Sequence, residues 1–143
     1  MYNEMHVRFL SKLENVTLAR TLAVGFLVDL NLNLNTMNEI KTIVSEAVTN
    51  SIVHGYSCEQ DKWVELRMAY NDEVIEIEII DEGVGIEDIE KAKEPLYSSK
   101  NDEERAGLGF TIMEVFTDNL EVKSAVNVGT SIIMTKRYYE QAA

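Results

Sequence analysis

The stretch Glu46-Ala-Val-Thr-Asn50-Ser-Ile-Val-His54-Gly55 predicts a helix with two chemically different sides. Glu46, Asn50 and His54 stand four residues apart, so a carboxylate, a carboxamide and an imidazole lie along one side of the helix. The opposite side is apolar and has to be buried; it carries Ile40, Ile43, Val44, Ala47, Val48 and Ile52. A polar column beside such a stripe is typical of a site wall, although a solvated helix surface shows the same pattern.

A strand that ends in a glycine motif follows along the chain. Apolar and polar residues alternate within Val74–Ile79, strictly from Ile75 onward, which predicts a half-buried strand. Asp81 therefore stands at the end of that strand, where a carboxylate can hydrogen-bond a ligand. Gly83 and Gly85 allow the backbone to come close to a flat base. Ordinary turns carry similar residues, so this motif indicates a site only together with the others.

A second glycine motif, Gly107-Leu108-Gly109, precedes a stretch with helical spacing from Phe110 to Phe116. Glycines at the start of a helix leave backbone N–H groups free to meet phosphate oxygens, and the helix dipole favours the negative charge. The polar segment 94–106 before them contains the cations Lys100 and Arg105. This combination predicts a lid over phosphates, although Gly-x-Gly alone often marks only a loop.

Length, cysteine content and hydropathy predict one cytoplasmic domain over residues 1–143. A chain of 143 residues is large enough to bury a core without metals or disulfides. Cys58 is the only cysteine, which favours a reducing compartment. We expect no signal peptide, because Met1-Tyr-Asn-Glu-Met-His has no basic region followed by an apolar one. We also expect no association with a membrane, because the longest uncharged apolar run, Thr21–Val28, is too short to span a bilayer.

The charge balance argues against direct nucleic-acid binding. The net charge is −12, from 25 acidic and 13 basic side chains, and no cluster of lysines or arginines is present. An acidic protein can compete with nucleic acid for a basic partner, but a strongly acidic composition is also common in proteins without such a partner.

The element pattern predicts an α+β two-layer sandwich, with helices packed on one face of a mixed, mostly antiparallel sheet. The chain is predicted to begin with a strand over 6–12 and a helix over 15–30 capped by Asn15. A second helix starts at the capping box Thr36-Met-Asn-Glu39, and strands over 62–70 and 73–80 follow, joined by Asn71-Asp72. A last helix comes after the glycines, and strands over 120–125 and 130–136 end the pattern.

The first predicted helix is apolar on more than one side. Between Glu14 and Glu39 the only charged residues are Arg20 and Asp29. The apolar residues of this helix are Leu18, Leu22, Ala23, Val24, Phe26, Leu27 and Val28. One stripe faces the sheet, and the remainder predicts a second buried face, in a homodimer or under a partner, with Arg20 at its edge. Covering by neighbouring loops is the alternative.

Taken in order, the three motifs resemble the ATP-binding domain shared by gyrase, the Hsp90 chaperone, histidine kinases and the MutL repair protein, which has the Bergerat-type fold. The Glu-Ala-x-x-Asn-x-x-x-His form of the first motif is similar to the bacterial anti-sigma-factor serine kinases, above all the anti-sigma factor F kinases of spore-forming bacilli. Pro95-Leu-Tyr-Ser-Ser-Lys100 also resembles the lid of that superfamily. The resemblance extends from Asn3 to about Arg137.

The resemblance implies a site for ATP or ADP with Mg²⁺. Asp81 would accept the adenine amino group, and Thr130 would support that contact from the last strand. Asn50 would hold Mg²⁺, whose preferred ligands are oxygens. Glu46 would orient or deprotonate the attacking hydroxyl.

The resemblance also implies roles at the phosphates. Gly107-Leu108-Gly109 would offer backbone amides, and Arg105 and Lys100 would meet the γ-phosphate when the lid closes. Arg105 is favoured because it adjoins the glycines and can bind bidentately. His54 either lines the site or packs at the helix end. The sparse glycines leave open how tightly the phosphates are held.

At the level of function, the resemblance implies an anti-sigma factor that sequesters a sporulation sigma factor and phosphorylates a serine of an anti-anti-sigma protein. The chain is too short for the phosphoacceptor domain of a histidine kinase, so we expect the acceptor on another protein. The alternative is an ATP-gated sigma-binding module without relevant phosphotransfer. Glu46 favours the kinase, because a pure nucleotide sensor has no use for a base beside the metal.

Overall fold

The computed structural model describes residues 1–94 and 104–138. Its elements are β1 (Asn3–Leu10), α1 (Glu14–Leu27), α2 (Leu34–Asn50), β2 (Trp63–Tyr70), β3 (Val74–Asp81), α3 (Ile89–Ala92), α4 (Glu104–Val115), β4 (Asn119–Ala125) and β5 (Gly129–Arg137). A 3₁₀ turn, Val28–Leu30, follows α1, and a π-helical turn, Ser51–Gly55, follows α2. The predicted α+β fold class is confirmed. The short helix α3 is an addition to the predicted elements, and Asp88 caps it by accepting from Lys91 N–H at 3.1 Å.

The described strands form one sheet in the order β1-β2-β3-β5-β4, and every neighbouring pair is antiparallel. Directly paired residues share a face, so Leu66, Ile79 and Ile132 form one row across three strands. All three are fully buried, because this face packs against the helices. The opposite face is charged: Arg67 Nε lies 2.8 Å from Glu65 and Arg67 Nη1 lies 3.8 Å from Glu78. The sheet therefore has one apolar face and one solvated face.

Helix α2 carries the predicted two-sided stretch and lies in the core. Its apolar side, including Ile40, Ile43, Val44, Ala47 and Val48, is fully buried. The predicted start at a capping box is wrong: Asn33 is the N-cap and accepts from Thr36 N–H at 2.7 Å. Thr36 is itself buried in the first turn, and Glu39 pairs with Lys136 instead of bonding back to the cap.

The first strand and helix also start earlier than predicted. Strand β1 occupies Asn3–Leu10, and α1 begins at Glu14. Asn15 is not a cap, because its side-chain amide donates to the Leu10 carbonyl at 2.8 Å and fixes the turn between β1 and α1. The helical path ends at Asn31, which adopts a left-handed conformation with φ of 53°.

The two hairpins form where the sequence predicted them, with one shifted turn. Between β2 and β3, the Asn71 side chain accepts from the N–H groups of Glu73 and Val74, both at 2.9 Å. The turn therefore closes around Asp72-Glu73, one residue later than expected. In the second hairpin, Asn127 has a φ of 64°, consistent with its place in a tight turn.

Helix α1 packs on α2, and some apolar side chains of α1 and of the turn after it stay exposed. Ala19 and Ala23 are fully buried. Leu18 remains 42% exposed and Val28 60% exposed, so neighbouring loops do not cover them within the described chain. No described helix is long and apolar enough to cross a membrane.

A buried ion pair connects α2, α4 and β5 at the end of the sheet away from the glycine motifs. Lys136 is 7% exposed, and its Nζ lies 2.9 Å from Glu39 Oε1. The same Nζ donates to the Phe116 carbonyl, just after α4, at 2.7 Å. Because the ammonium satisfies two acceptors in a mostly dry place, its loss would leave both without their partner.

Lys136→Met is expected to lower the free energy of unfolding by about 2 kcal/mol, less than for a fully buried pair because Glu39 keeps contact with water. Lys123→Met is the matched control, since Lys123 lies 3.8 Å from Glu121 in an exposed pair. The control should change stability by less than about 0.5 kcal/mol in urea unfolding. Equal effects of the two variants would contradict a structural role for the Lys136 pair.

Candidate functional site

The polar column begins on α2 and continues into the π-helical turn, and its first member, Glu46, lies against the second glycine motif. Glu46, Asn50 and His54 are each partly covered, as expected for a site wall. A Cβ built on Gly109 would lie 3.3 Å from Glu46 Oε2, so the Glu46 carboxylate lies against the backbone of α4. The structure thus brings together the first and third motifs, which are about sixty residues apart in the chain.

The third motif itself lies inside α4, which corrects one expectation. Helix α4 begins at Glu104, so Gly107-Leu108-Gly109 does not precede the helix. An α-helix leaves only its first four N–H groups free, and the N–H groups of Leu108 and Gly109 fall beyond them. Arg105 belongs to the first turn of α4, whereas Lys100 and the lid segment Pro95–Lys100 lie outside the described residues.

Asp81 closes the other end of the site as a buried carboxylate. It is 4% exposed, and Oδ1 accepts from Gly83 N–H at 3.0 Å. Burial raises the pKa of Asp81, while the backbone N–H groups of Gly83 and Thr130 and the hydroxyl of Ser51 act in the opposite direction. Ser51 Oγ is buried near this carboxylate but has no hydrogen bond of normal geometry. A carboxylate so placed retains acceptor capacity for a ligand.

Gly55 brings the end of the π-helical turn into direct contact with Asp81. A Cβ built on Gly55 would lie 2.8 Å from Asp81 Cγ, and one built on Gly83 would lie 2.0 Å from the Gly55 carbonyl oxygen. The Gly55 carbonyl also accepts from Val84 N–H at 2.9 Å. Sequence reasoning missed this role of Gly55, although the residue directly follows His54 in the first motif.

The glycines after β3 make close contacts within the protein. The place of a Gly83 side chain is taken by Gly55, as described above. Gly85 has a φ of +78°, and a Cβ there would lie 2.2 Å from the Ala125 carbonyl oxygen. These contacts explain why both positions are glycine, and the approach of a base to their backbone stays a prediction.

Two hydroxyls that the sequence analysis did not select hold the loop after β3. Tyr56 Oη accepts from Glu82 N–H at 2.7 Å and donates to the Trp63 carbonyl at 2.5 Å. Burial raises the pKa of Tyr56, so the phenol remains a donor at neutral pH. Ser124 Oγ accepts from Ile86 N–H at 2.7 Å. Tyr56 follows the first motif, but Ser124 has no sequence signal, because its role depends on the register of β4.

Thr130 lies beside Asp81 in the sheet. The two residues are directly paired between β5 and β3, and Thr130 is 5% exposed. The Thr130 hydroxyl lies 2.8 Å from Ser124 Oγ. The predicted pair of Asp81 and Thr130 is thus brought together as one buried polar patch.

The described residues contain no group of three His, Cys, Asp or Glu side chains that could hold a metal. Asn50 is the metal-ligand candidate from the sequence, and it stands one helical turn from Glu46. Mg²⁺ usually takes only one or two protein ligands and completes its shell with phosphates and water. A single oxygen from Asn50 fits that mode, whereas a metal held by the protein alone does not fit.

Comparison with known proteins gives consistent results. A family model described as a histidine kinase-like ATPase domain matches residues 9–136. A protein of Oceanobacillus iheyensis named anti-sigma F factor is 51% identical to this chain, over 96% of this chain and 94% of the relative. A protein of the same name from Clostridium perfringens strain SM101 is 47% identical, over 96% of this chain and 98% of the relative. The anti-sigma F factor of Geobacillus stearothermophilus is 45% identical over 99% of this chain and 97% of the relative.

Solved structures show the same fold. The RsbU and RsbW domains of a Mycobacterium tuberculosis protein superpose with a TM-score of 0.69 at 16% identity, over 95% of this chain. The chain spans 32% of that solved chain. A blue-light activated histidine kinase from Erythrobacter litoralis superposes with a TM-score of 0.60 at 20% identity, over 78% of this chain and 33% of the kinase.

Asp81→Asn is expected to stabilise the fold at pH 7, because the amide removes a buried charge and its oxygen still accepts from Gly83. With the pKa of Asp81 raised by burial, the native chain loses stability as the pH rises from the ordinary value of 3.8 to the raised one. Urea unfolding should therefore show an advantage of the variant at pH 7 that disappears near pH 3.8.

The exposed Asp61 provides the control for this comparison. Asp61→Asn should follow the native chain across the same pH range, since the ionised Asp61 carboxylate remains in water. An advantage of Asp81→Asn that is independent of pH would show that the buried charge of Asp81 is not its cause.

Proposed function

The chain belongs to the histidine kinase-like ATPase domain family and, within it, to the anti-sigma F factors, and from this membership we propose that it is an ATP-dependent protein serine kinase. It binds ATP with Mg²⁺, transfers the γ-phosphate to a serine of an anti-anti-sigma protein, and sequesters a sporulation sigma factor. Because sigma factors act with RNA polymerase, the cytoplasm is its place of action.

The observation that carries the proposal is the position of Glu46 against α4, at the opposite end of one polar column from Asp81. Gly55 contacts Asp81, and Glu46 contacts Gly109. Gly55 follows Glu46 by nine positions, which would extend roughly 13 Å along the axis at the α-helical rise and somewhat less through the π-helical turn. A nucleoside triphosphate lying along this column would have its base at Asp81 and its terminal phosphate near Glu46.

The donors and acceptors at the Asp81 end fit adenine. A buried carboxylate accepts from an amino group, which adenine carries and which a base with a carbonyl at that position lacks. Where a site is built around such a contact, the wrong base is rejected by roughly 10⁴-fold. Asp81 and Thr130 form the only part of the proposal that distinguishes the base.

The Glu46 end fits phosphoryl transfer to a hydroxyl. ATP with Mg²⁺ supplies the transferable γ-phosphoryl group and neutralises its charge. Asn50 would hold the metal ion, and Glu46, one turn away, would accept the proton of the acceptor serine. General base catalysis of this kind contributes about 10²–10⁴-fold. Arg105 and Lys100 remain proposals for charge stabilisation at the γ-phosphate, and His54 remains a proposal for lining the site.

The helical start of α4 favours a gated module as the second candidate. If phosphates bind the N–H groups of Leu108 and Gly109, these groups must leave their helical hydrogen bonds, because one N–H cannot serve both partners fully. Nucleotide binding would then reshape the start of α4. A partner that reads this region would sense the nucleotide even without phosphotransfer.

Arg20 is the proposed partner contact. Its Nη1 donates to Ser45 Oγ at 3.1 Å and its Nη2 donates to Thr17 Oγ1 at 3.3 Å. Ser45 directly precedes Glu46 on α2, so Arg20 connects α1 to the helix that carries the proposed base. The guanidinium has five N–H groups, and these two bonds leave others available for a carboxylate of a partner.

Glu46→Gln is expected to lower the rate of γ-phosphate transfer to the anti-anti-sigma protein by about 10²–10⁴-fold while ATP still binds, because only the proton acceptor is lost. The measurement uses γ-labelled ATP with Mg²⁺. Glu114→Gln is the control, since Glu114 is exposed on α4 and should transfer at the native rate.

The result separates the two candidates. Transfer by the native chain with loss in Glu46→Gln supports the kinase. If neither protein transfers phosphate but both capture the sigma factor only with ATP, the gated module is the correct function. Native-like transfer by Glu46→Gln would exclude Glu46 as the base.

We also propose a homodimer through the outer side of α1, where Leu18 and Val28 stay exposed in the single chain. Leu18→Glu should shift the sedimenting species toward the monomer mass of 16.2 kDa at micromolar concentration, because a charge at the contact loses its water on association. Val128→Glu is the control, since Val128 is 68% exposed in the β4–β5 turn. A native chain that sediments only as a monomer would remove the dimer.

A further inference from the structure

The hydroxyl of Ser124, on the edge strand β4, contacts three groups around the base end of the site. It accepts from Ile86 N–H at 2.7 Å, lies 2.8 Å from Thr130 Oγ1, and is placed to donate to the Gly129 carbonyl at 3.0 Å. Ser124 therefore connects β4 to the loop after β3 and to the start of β5. None of the three sequence motifs includes it.

The sheet register places Ser124 in line with the proposed base contacts. Ser124 pairs directly with Thr130 between β4 and β5, and Thr130 pairs directly with Asp81 between β5 and β3. Directly paired residues point to the same face, so the three side chains form one polar row. Thr130 lies between Asp81 and Ser124 in this row, so Ser124 does not itself contact the base.

The hydroxyl hydrogens of Ser124 and Thr130 can be arranged in two ways. A serine hydroxyl has one hydrogen to donate and two lone pairs. If Ser124 donates to Thr130 Oγ1, the hydrogen of Thr130 is free to point toward the base. If Ser124 donates to Gly129 instead, Thr130 must donate back to Ser124 and can only accept from a ligand. Both contacts lie within hydrogen-bond distance, so the free site can adopt either arrangement, and the first is the one in which Thr130 can donate to a ring nitrogen of a bound base.

We propose that Ser124 is a positioning residue for base recognition, which turns the Thr130 hydroxyl into a hydrogen-bond donor beside the acceptor Asp81. This rests on the proposed function, in which Asp81 and Thr130 meet adenine. Adenine offers an amino donor next to a ring-nitrogen acceptor. The amino group matches the acceptor Asp81, and the ring nitrogen matches the donor Thr130. Guanine offers a carbonyl acceptor next to an N–H donor, so its pattern is reversed. Ser124 thereby contributes to selection of ATP over GTP.

The test compares Ser124→Ala with Ser131→Ala by titration calorimetry with ATP and with GTP in the presence of Mg²⁺. Ser124→Ala should bind ATP about tenfold more weakly, the factor for one ordinary hydrogen bond, and its preference for ATP over GTP should fall by a similar factor. Ser131 adjoins Thr130 but donates to Glu78 at 2.5 Å on the other face of the sheet. Ser131→Ala should therefore keep the native affinities.

A double-mutant cycle shows whether Ser124 acts through Thr130. Thr130→Val removes the hydroxyl that Ser124 orients, so adding Ser124→Ala should weaken ATP binding by no more than about twofold further. Ser124→Thr keeps the hydroxyl and should keep the ATP preference. If Ser124→Ala does not fold, Ser124→Cys replaces it, because a thiol keeps the size but donates weakly.

Each outcome decides the question. Native affinity and native ATP preference in a folded Ser124→Ala protein, or fully additive effects of Ser124→Ala and Thr130→Val, would overturn the positioning role and leave the proposed function standing. Loss of the ATP preference in Ser124→Thr would likewise overturn it. If the native chain itself shows no saturable binding of ATP, the proposed function fails, and the inference fails with it.

Discussion

The close approach of Gly55 to Asp81 and Gly83 is the contact on which the rest of the site depends. No side chain larger than hydrogen fits at Gly55 or Gly83, because a Cβ would overlap the Asp81 carboxylate in one case and the Gly55 carbonyl in the other. A third glycine, Gly129, lies equally close to the Asp81 carbonyl. These contacts set the distance between the end of α2 and the ends of β3 and β5. They therefore determine where the polar column of α2 stands relative to the buried carboxylate.

Asp81 makes this arrangement costly for the fold. A carboxylate that is almost fully buried loses its hydration, and the raised pKa of Asp81 shows that the surrounding donors replace that hydration only in part. The hydrophobic row next to it, with Leu66, Ile79 and Ile132, would pack without any such loss. A residue that weakens the fold and yet lies at the centre of three glycine contacts is typical of a site selected for binding rather than for stability.

Local patterns predicted most of the fold, and long-range contacts account for what they missed. The periodicities around Glu46–Gly55 and Val74–Ile79 correctly predicted a buried helix and a half-buried strand, because one side of each segment faces the same core. The start of α2 was placed too late because Glu39 bonds to Lys136 on β5 and not to its own helix cap. Ser124 was missed for the same reason: its partners belong to other strands, and only the register reveals them.

Helix α4 shows why the Glu46 end of the site was harder to predict than the Asp81 end. The Asp81 end is built from strand ends, whose neighbours are fixed by the sheet. Under the proposed function, the start of α4 would have two ways to satisfy its N–H groups, because those of Leu108 and Gly109 would bond either to helix carbonyls or to a phosphate. An element with two such arrangements responds to a ligand that binds only one of them by a shift of the balance between them. A partner that contacts α4 in only one arrangement is then coupled to the nucleotide. By thermodynamic linkage, the partner changes the affinity of the protein for nucleotide by a certain factor, and the nucleotide changes its affinity for the partner by the same factor. The glycines within α4 lower the cost of unwinding its first turns, since glycine is among the weakest helix formers.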